Sequence, residues 1–361
     1  MMRQTLAIFV DAYRDLNSRK LFWVTLVLSG VFVAAFVLLG VDDKGVQFAT
    51  RHFDMPKTQA VYMYKYIFRL AVIGIWLTWA ATILALISTA GIFPDLIAGG
   101  SIDLYLSKPL SRARLFATRY VAGLTFVLLQ VMVVTLGGFL VLGWRGQTWL
   151  PQLFLAIPIV ICFFSYLFGI CVFFDVLTRS TVAALLLTIG TWGLLAGVDM
   201  LEPFLLNQYN IFIHEADRLD ADADDPSELS IPGNKSKLSM PTPSERAQTA
   251  RDIAGRIKVF QRIVYGIKTI TPKTTDTTDL LSRYVFTDEE VESSLNPPAR
   301  QRGATRREGG PPFDDQSAKE ASRESSREYR GRSIAWVVGT SLVFEVVLVT
   351  FAGWMFCRRD Y

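Results

Sequence analysis

The stretch "LPQLFLAIPIVICFFSYLFGICVFFDVL" (Leu150–Leu177) contains a single charged residue, Asp175, close to its end. A helix needs about 20 consecutive apolar residues to cross the hydrocarbon core of a bilayer. This stretch is longer than that, and its apolar residues are continuous instead of recurring on one helical face. The sequence therefore predicts a membrane-spanning helix at this position.

Other stretches satisfy the same criterion, and six spans are predicted in total. They are Leu21–Val41, Leu70–Phe93, Tyr120–Trp144, Leu150–Leu177, Thr181–Leu201 and Ile334–Cys357. The first span follows a charged start without a small-residue cleavage site, which indicates a retained anchor and not a removed signal peptide. With 51% hydrophobic residues and a mean hydropathy of +0.32, the chain is predicted to be an all-α polytopic membrane protein.

Short basic segments predict the orientation of these spans. They are the N-terminal segment (Arg3, Arg14, Arg19, Lys20), the connection after the second span (Lys108, Arg112, Arg114, Arg119) and the C-terminal "CRRDY" at 357–361. Short loops rich in Lys and Arg stay on the cytoplasmic side of a membrane. We therefore predict a multi-pass protein of the cytoplasmic membrane with both termini in the cytoplasm.

This orientation divides the chain into four parts. Residues 1–20 are predicted as a cytoplasmic amphipathic entry helix, 21–201 as the first five spans, 202–332 as a long extracytoplasmic insertion, and 333–361 as the sixth span and cytoplasmic tail. The insertion is rich in Lys and Arg, but long loops translocate largely regardless of charge. A seventh crossing is the alternative. Its candidate, 203–213, is about 11 residues long and fits an interfacial or re-entrant segment better.

The long insertion changes composition along its length. The acidic stretch 214–228 is predicted to be flexible, and the Pro-, Gly- and Ser-rich stretch 296–332 a low-complexity tether. Between them an amphipathic helix is predicted over about 244–270, with Ser244 as N-cap. Its apolar stripe consists of Ala250, Ile253, Ile257, Phe260, Val264 and Ile267. The stripe packs on the protein's own outer surface or lies in the lipid interface.

Motifs for catalysis and for cofactors are absent from the sequence. There is no G-x-x-x-x-G-K-[ST], no H-E-x-x-H and no G-x-S-x-G, so we predict neither an enzyme nor a cofactor held by this chain. The two His and three Cys residues lack metal-ligand spacing, which predicts no metal site. The net charge of +4 is small, and basic residues at membrane edges indicate contact with lipid headgroups and not with nucleic acid.

Glu345 is the most deeply placed carboxylate of the predicted spans, and Gln130 is the main uncharged polar residue that could partner it. A charged side chain in a bilayer is costly and usually faces the bundle interior or a water-filled cavity. Glu345 is therefore either hydrogen-bonded to a neighbouring helix or a cavity-lining, proton-linked residue. A proton- or ion-coupled carrier is disfavoured because no second intramembrane charge is found at comparable depth.

The connection between the second and third spans contains "GGSIDLYLSKPLSRARLFATRYVAG" (Gly99–Gly123). Gly99 and Gly100 interrupt a helix, Pro109 makes a second corner, and Ser111 can cap a new helix. The residues thus predict a compact helix–turn–helix at the cytoplasmic edge. A basic loop that only fixes topology is the alternative.

This connection resembles the signature region of ABC-2 type transporter permeases, the membrane subunits of ATP-binding-cassette exporters. The resemblance rests on Asp95, on Gly99–Gly100, on "LYLSKPLSR" (Leu104–Arg112) and on Arg119. The N-terminal "FVDAYRDLNSRKLFWV" (9–24) and the terminal "FCRRDY" (356–361) are similar to the entry helix and the ending of that family. Two features depart from it: the family more often has Glu in place of Asp95, and its last outer loop is usually far shorter.

The resemblance implies a six-helix permease that forms the substrate pathway of an exporter. It also implies a separate ATPase subunit that binds ATP and Mg, and a second permease copy, identical or related. The residues implied to couple to the ATPase are Asp95, Gly99, Gly100, Ser107, Lys108, Pro109, Arg112 and Arg114. The alternative function is a membrane-anchored scaffold or sensor that acts through the extracytoplasmic loop. The substrate is not specified by the sequence.

Overall fold

The computed structural model describes residues 10, 14, 20–42, 45–48, 51–98, 111–224, 242–285 and 331–358, which are mostly helical. Five helical stretches are long and apolar enough to cross a membrane, in agreement with the prediction of a polytopic membrane protein. They are Lys57–Ile97, Arg112–Arg145, Pro151–Thr178, Thr181–Asp220 and Ile334–Arg358. The first predicted span corresponds to helix α1 (Lys20–Ala35), whose apolar part, Phe22–Ala35, is shorter than these five.

A small β-sheet, which the sequence analysis did not predict, follows α1. The span predicted to reach Val41 is helical only to Ala35, because strand β1 (Leu39–Asp42) already belongs to this sheet. β1 pairs antiparallel with β2 (Gly45–Phe48), which pairs antiparallel with β3 (Arg51–Asp54). Gly45 has a φ of +129°, and a Cβ there would lie 2.2 Å from the Phe53 carbonyl oxygen, so only glycine fits this position.

The second span is helical but not uniform. Helix α2 (Lys57–Phe68) continues as a π-helical segment (Arg69–Ala81), as α3 (Thr82–Thr89) and, after a turn, as α4 (Ile92–Ala98). The Thr82 hydroxyl donates to the Leu77 carbonyl, five residues earlier, at 3.0 Å. This spacing is that of the π-helix, where backbone bonds also join residues five apart.

The chain divides into two compact units. Unit 1 comprises Met1–Leu194, Thr274–Arg300 and Ser341–Tyr361, and unit 2 comprises Leu195–Lys273 and Gln301–Thr340. The remaining helices are α5 (Arg112–Arg145), α6 (Ala156–Thr178, after a 3₁₀ turn at Pro151–Leu155), α7 (Thr181–Asp224), α8 (Pro243–Ile270), α9 (Thr274–Val285) and α10 (Ile334–Arg358).

Helix α6 lies at the centre of unit 1. Two thirds of its apolar span is buried within the protein, whereas only 17% of the α10 span is. Its aromatic side chains Phe163, Phe164, Tyr166 and Phe168 are almost fully buried. Helix–helix contacts inside a membrane depend on such packing, since lipid tails are as apolar as the side chains themselves.

Helix α9 packs against α6 within unit 1. Its Leu280 and Leu281 are buried, and Thr277 lies beside Tyr166, near the middle of α6. The sequence analysis placed this segment in the extracytoplasmic insertion. The sequence of this helix, "TTDTTDLLSRYV", is polar. Its hydropathy therefore does not indicate that the segment packs back into the helix bundle.

Unit 2 is built on an antiparallel pair of helices. The second half of α7 packs on α8 through Ala216 on one side and Ala247 and Ala250 on the other. Helix α7 is continuous through Pro203 to Asp224. The predictions of a re-entrant turn at 203–213 and of flexibility at 214–224 are therefore wrong, whereas an interfacial position of 203–213 stays a prediction. Packing against α8 explains why the acidic end of α7 is helical.

Helix α8 occupies the range predicted for the amphipathic helix, but its cap and buried face differ. Its N-cap is Thr242 and not Ser244, because Thr242 and Glu245 form a reciprocal capping box. Ala250 and Val264 of the predicted stripe are buried, together with Ala247 and Ala254, whereas three residues of the stripe are exposed: Ile253, Phe260 and Ile267. Small alanines permit close approach to α7, and the exposed apolar residues favour the lipid-interface hypothesis.

Candidate functional site

The helix that follows the predicted coupling connection begins where the sequence analysis placed it. Ser111 is the N-cap of α5, and its hydroxyl accepts a hydrogen bond from the Arg114 backbone N–H at 3.3 Å. The cap satisfies one of the backbone donors that the first turn of a helix leaves unpaired. The start of α5 is therefore fixed by local hydrogen bonding.

Both flanks of the connection are fixed to the end of the last span by an aromatic cluster. The cluster consists of Phe93 on α4, Phe116 on α5 and Phe356 on α10, with ring centroids 5.0 to 6.3 Å apart. A Cβ at Gly353 would lie 3.1 Å from the Phe116 ring, so glycine allows α10 to approach α5 this closely. The Arg112 guanidinium also donates to the Cys357 carbonyl at 3.5 Å.

The structure places part of the predicted coupling set at this end of unit 1. Asp95 is exposed on α4, and Arg112 and Arg114 are half-buried in the first turn of α5. The other members lie outside the described residues: Gly99, Gly100, Ser107, Lys108 and Pro109. Nearly all of the predicted entry helix at 1–20 lies outside them as well. The described members thus lie on α4 and α5, which pack on each other through Phe93 and Phe116.

Glu345 lies inside unit 1, with 8% of its surface exposed. Tyr120 of α5 donates to Glu345 Oε1 at 2.8 Å, and Ser165 of α6 donates to Oε2 at 2.7 Å. A Cβ at Gly169 would lie 3.5 Å from Glu345 Cγ, so glycine provides room for the carboxyl group. Glu345 is therefore bonded to two neighbouring helices.

Gln130 is not the partner of Glu345. It lies on α5, 2% exposed, beside a small cavity lined also by Leu77, Thr82 and Phe164. Neither side-chain atom of Gln130 has a hydrogen-bond partner in the described part of the chain. The cavity has room for about one water molecule, and the buried amide could hold one there.

Polar side chains continue from Glu345 toward α9 and form a polar track. Ser341 lies one helical turn before Glu345 on α10, and the Tyr166 hydroxyl faces both Ser341 and Thr277. Asp276, next to Thr277, is 2% exposed. We call Asp276, Thr277, Tyr166, Ser341 and Glu345, with Tyr120 and Ser165, the polar track. Sequence reasoning missed its α9 part because that helix carries no apolar signal.

We expect the Glu345 contacts to stabilise the bundle without requiring a charge. In Glu345→Gln the amide oxygen accepts from Tyr120, and the amide N–H donates to Ser165, whose hydroxyl has its own acceptor in the Cys162 carbonyl at 2.8 Å. Glu345→Ala loses both bonds. Thermal unfolding in detergent should show a loss of about 2 kcal/mol for Glu345→Ala and less than about 1 kcal/mol for Glu345→Gln. Equal losses would contradict this structural role.

Unit 2 contains a buried ion cluster that the sequence analysis did not find. Lys268 of α8 lies 3.7 Å from Asp199 and 3.6 Å from Glu202 of α7. Glu202 also accepts from Arg332 at 2.5 Å and from Gln261 at 3.4 Å. Glu202 and Lys268 have no exposed surface. These residues are distant in sequence, so no local sequence pattern indicates that they are in contact.

Aromatic rings cover the basic side chains beside this cluster. Tyr265 and Trp336 stack with a centroid distance of 5.6 Å, and the Arg332 guanidinium lies 5.5 Å and 5.3 Å from the two rings. Lys273 Nζ lies 4.2 Å from the Trp336 ring and donates to the Thr340 hydroxyl at 2.5 Å. Cation–π contacts of this kind stabilise desolvated cations.

A metal centre has no basis in the part of the chain that the structure describes, where no group of three His, Cys, Asp or Glu residues could hold an ion. No protein-family model, curated protein or solved structure matches the chain. The function is therefore inferred from the fold and from the buried polar groups.

Proposed function

We propose that this chain is the permease subunit of an ATP-binding-cassette exporter, which forms the substrate pathway and couples to a separate ATPase subunit. The observation that supports this most directly is the anchoring of the connection between the second and third spans. Its two flanks, at Phe93 and Phe116, pack on each other and on Phe356 at the end of the last span. A force applied to the connection would therefore reach three spans at once.

The anchoring suits a coupling element because a flexible loop would absorb a displacement. ATP binding would close a dimer of ATPase subunits, and rigid-body motion would pass through α4, α5 and α10. Two copies of the chain, or this chain and a relative, would pair with two ATPase subunits. Arg112 and Arg114 would face an acidic groove on the ATPase, since complementary charge guides such contacts.

The basic residues at this end of unit 1 support a cytoplasmic location for it. Arg112 and Arg114 begin α5, Arg179 ends α6, and Arg358 ends α10. The positive-inside rule would place this end and both termini in the cytoplasm. The β-sheet and the Arg145 end of α5 would then lie on the outer side.

Co-purification tests the proposal. The tagged chain is isolated from gently solubilised native membranes, and ATP hydrolysis is measured on the eluate. We expect a stoichiometric soluble subunit with a phosphate-binding loop, and hydrolysis that follows the tagged chain. A pure chain without ATPase activity would contradict the proposal and would favour the scaffold alternative.

A second candidate is a proton-linked carrier, and Asp276 is the observation that favours it. The sequence offered one buried carboxylate, Glu345, whereas the structure adds Asp276 at the other end of the polar track. Buried carboxylates with hydroxyl side chains between them are typical of proton paths in membranes. The co-purification experiment distinguishes the two, since a carrier of this kind requires no ATPase.

A further inference from the structure

A groove lies between α1 and α5 on the surface of unit 1. Its volume is about 390 Å³, and its walls include Gly30 and Val33 on α1, Val37 in the turn after α1, and Val134, Gly137 and Trp144 on α5. The polar side chain in its wall, Ser29, already accepts from Trp76 Nε1 at 3.2 Å. The groove therefore presents an apolar surface within a membrane domain.

The dimensions of the groove match one leaflet of a bilayer. Along α1 and the turn after it the groove extends from Ser29 to Val37, and along α5 from Val133 to Trp144. At 1.5 Å per residue in a helix these stretches are roughly 12 to 17 Å long, and half of a hydrocarbon core is roughly 15 Å. The groove is thus long enough for the part of one acyl chain that lies in one leaflet.

The Arg145 side chain lies at the end of the groove. Arg145 Nε donates to the carbonyl of Val37, which lines the groove, at 2.9 Å, and Arg145 Nη2 donates to the Gln47 side-chain oxygen at 3.5 Å. Both acceptors are neutral, and no carboxylate in the described part of the chain pairs with this guanidinium, which is half-buried. Trp144, beside it, is 76% exposed, as is typical of the membrane–water interface.

We propose that this groove binds one glycerophospholipid of the surrounding membrane, with an acyl chain along α1 and α5 and its phosphate paired with Arg145. The lipid supplies a counter-ion where the described part of the chain provides no carboxylate, and a guanidinium binds phosphate oxygens with two parallel donors. The apolar walls and the cation lie at the right separation, because the acyl chain and the phosphate of one molecule occupy the core and the interface.

Native mass spectrometry of the purified chain in detergent tests the proposal. The probes are dioleoylphosphatidylglycerol, dioleoylglycerol with the same chains but no phosphate, and inorganic phosphate. Gly30→Phe fills the groove, since no atom lies within 4 Å of a Cβ at Gly30. Gly190→Phe on α7 is the matched control, because its Cβ position is equally open and lies away from the groove. Arg145→Gln removes the charge but retains a donor for Val37.

We expect one tightly retained phosphatidylglycerol per chain, bound at least tenfold more weakly by Gly30→Phe and unchanged in Gly190→Phe. Arg145→Gln should weaken phosphatidylglycerol about tenfold and leave dioleoylglycerol unaffected. Equal retention by Gly30→Phe would overturn the proposal. Dissociation of a dimer by Gly30→Phe alone would also overturn the proposal, because the groove would then bind a second copy of the chain. Saturation of the site by inorganic phosphate alone would overturn it as well, because the site would then bind an anion and not a lipid.

Discussion

Replacing Glu202 with Gln should lower the melting temperature of the purified protein by roughly 10 °C and open unit 2 to proteolysis. Glu202 is fully buried and is the carboxylate shared by Lys268 and Arg332. Removing one partner of a buried ion pair costs about 3 to 5 kcal/mol, because the charge that remains is desolvated. In Glu202→Gln, Lys268 retains Asp199, whereas Arg332 loses the carboxylate with which it pairs. Domains of about 150 to 250 residues lose about 2 to 4 °C per kcal/mol and smaller ones lose more, so the shift is readily measured by intrinsic tryptophan fluorescence.

The matched control is Asp217→Asn on the same helix. Asp217 and Asp220 pair with Arg251 of α8, but Asp217 is 62% exposed and Arg251 49% exposed. The hydrogen bond from Arg251 to Asp220 raises the pKa of Arg251 above its ordinary value, so this residue stays charged. Exposed pairs contribute little to stability, and the melting temperature should not change. A similar loss in both variants would show that the buried cluster has no special role.

The transmembrane part of the fold was largely predictable because it depends on local composition. Continuous apolar stretches indicated the spans that the structure shows from Lys57 onward, and Ser111 was correctly identified as the cap of α5. Glu345 could be singled out as a lone carboxylate in an apolar helix. Such signals need only neighbouring residues in the sequence, and this explains why they succeeded.

The partners of these residues could not be predicted, because they depend on which helices pack together. Gln130 was the expected partner of Glu345, whereas Tyr120 and Ser165 bind it. The cluster of Asp199, Glu202, Lys268 and Arg332 unites residues from three distant segments. Residues so far apart in sequence form no periodic pattern, so a single sequence does not indicate that they are in contact.

Composition was misleading where tertiary packing overrides it. The acidic end of α7 was expected to be flexible, yet it is helical as far as Asp224, and its Ala216 packs on Ala247 and Ala250 of α8. Strands β1 to β3 form a sheet in which Gly45, the first residue of β2, requires a positive φ, and the continuous apolar stretch before them hid this sheet from the sequence analysis. The α9 segment is polar in sequence and buried in the structure, so hydropathy could not place it.

Charge reversal at Arg114 should abolish co-purification of an ATPase while leaving the permease folded. Arg112 is a less informative position, since its guanidinium also bonds the Cys357 carbonyl and its loss would disturb the anchoring of α5. Arg114 is in the same helical turn, and its side chain makes no hydrogen bond or ion pair to another described residue. Arg114→Glu therefore changes the surface charge of the coupling end with little effect on internal contacts. A glutamate facing an acidic groove replaces attraction with repulsion, which costs several kcal/mol at an interface.

Arg114→Lys is the control for this experiment, because it retains the charge and should retain at least a large part of the ATPase association. The measurement is the amount of ATPase per tagged chain after purification, together with the melting temperature of each variant. An unchanged melting temperature with loss of the ATPase in Arg114→Glu alone would locate the coupling contact at the start of α5. Full association of the ATPase with Arg114→Glu would mean that the ATPase subunit does not bind at this end through Arg114. The packing of Phe93, Phe116 and Phe356 would then have only a structural role. Loss in both variants would indicate a dependence on guanidinium geometry, as in a bidentate contact with a carboxylate, and not on charge alone.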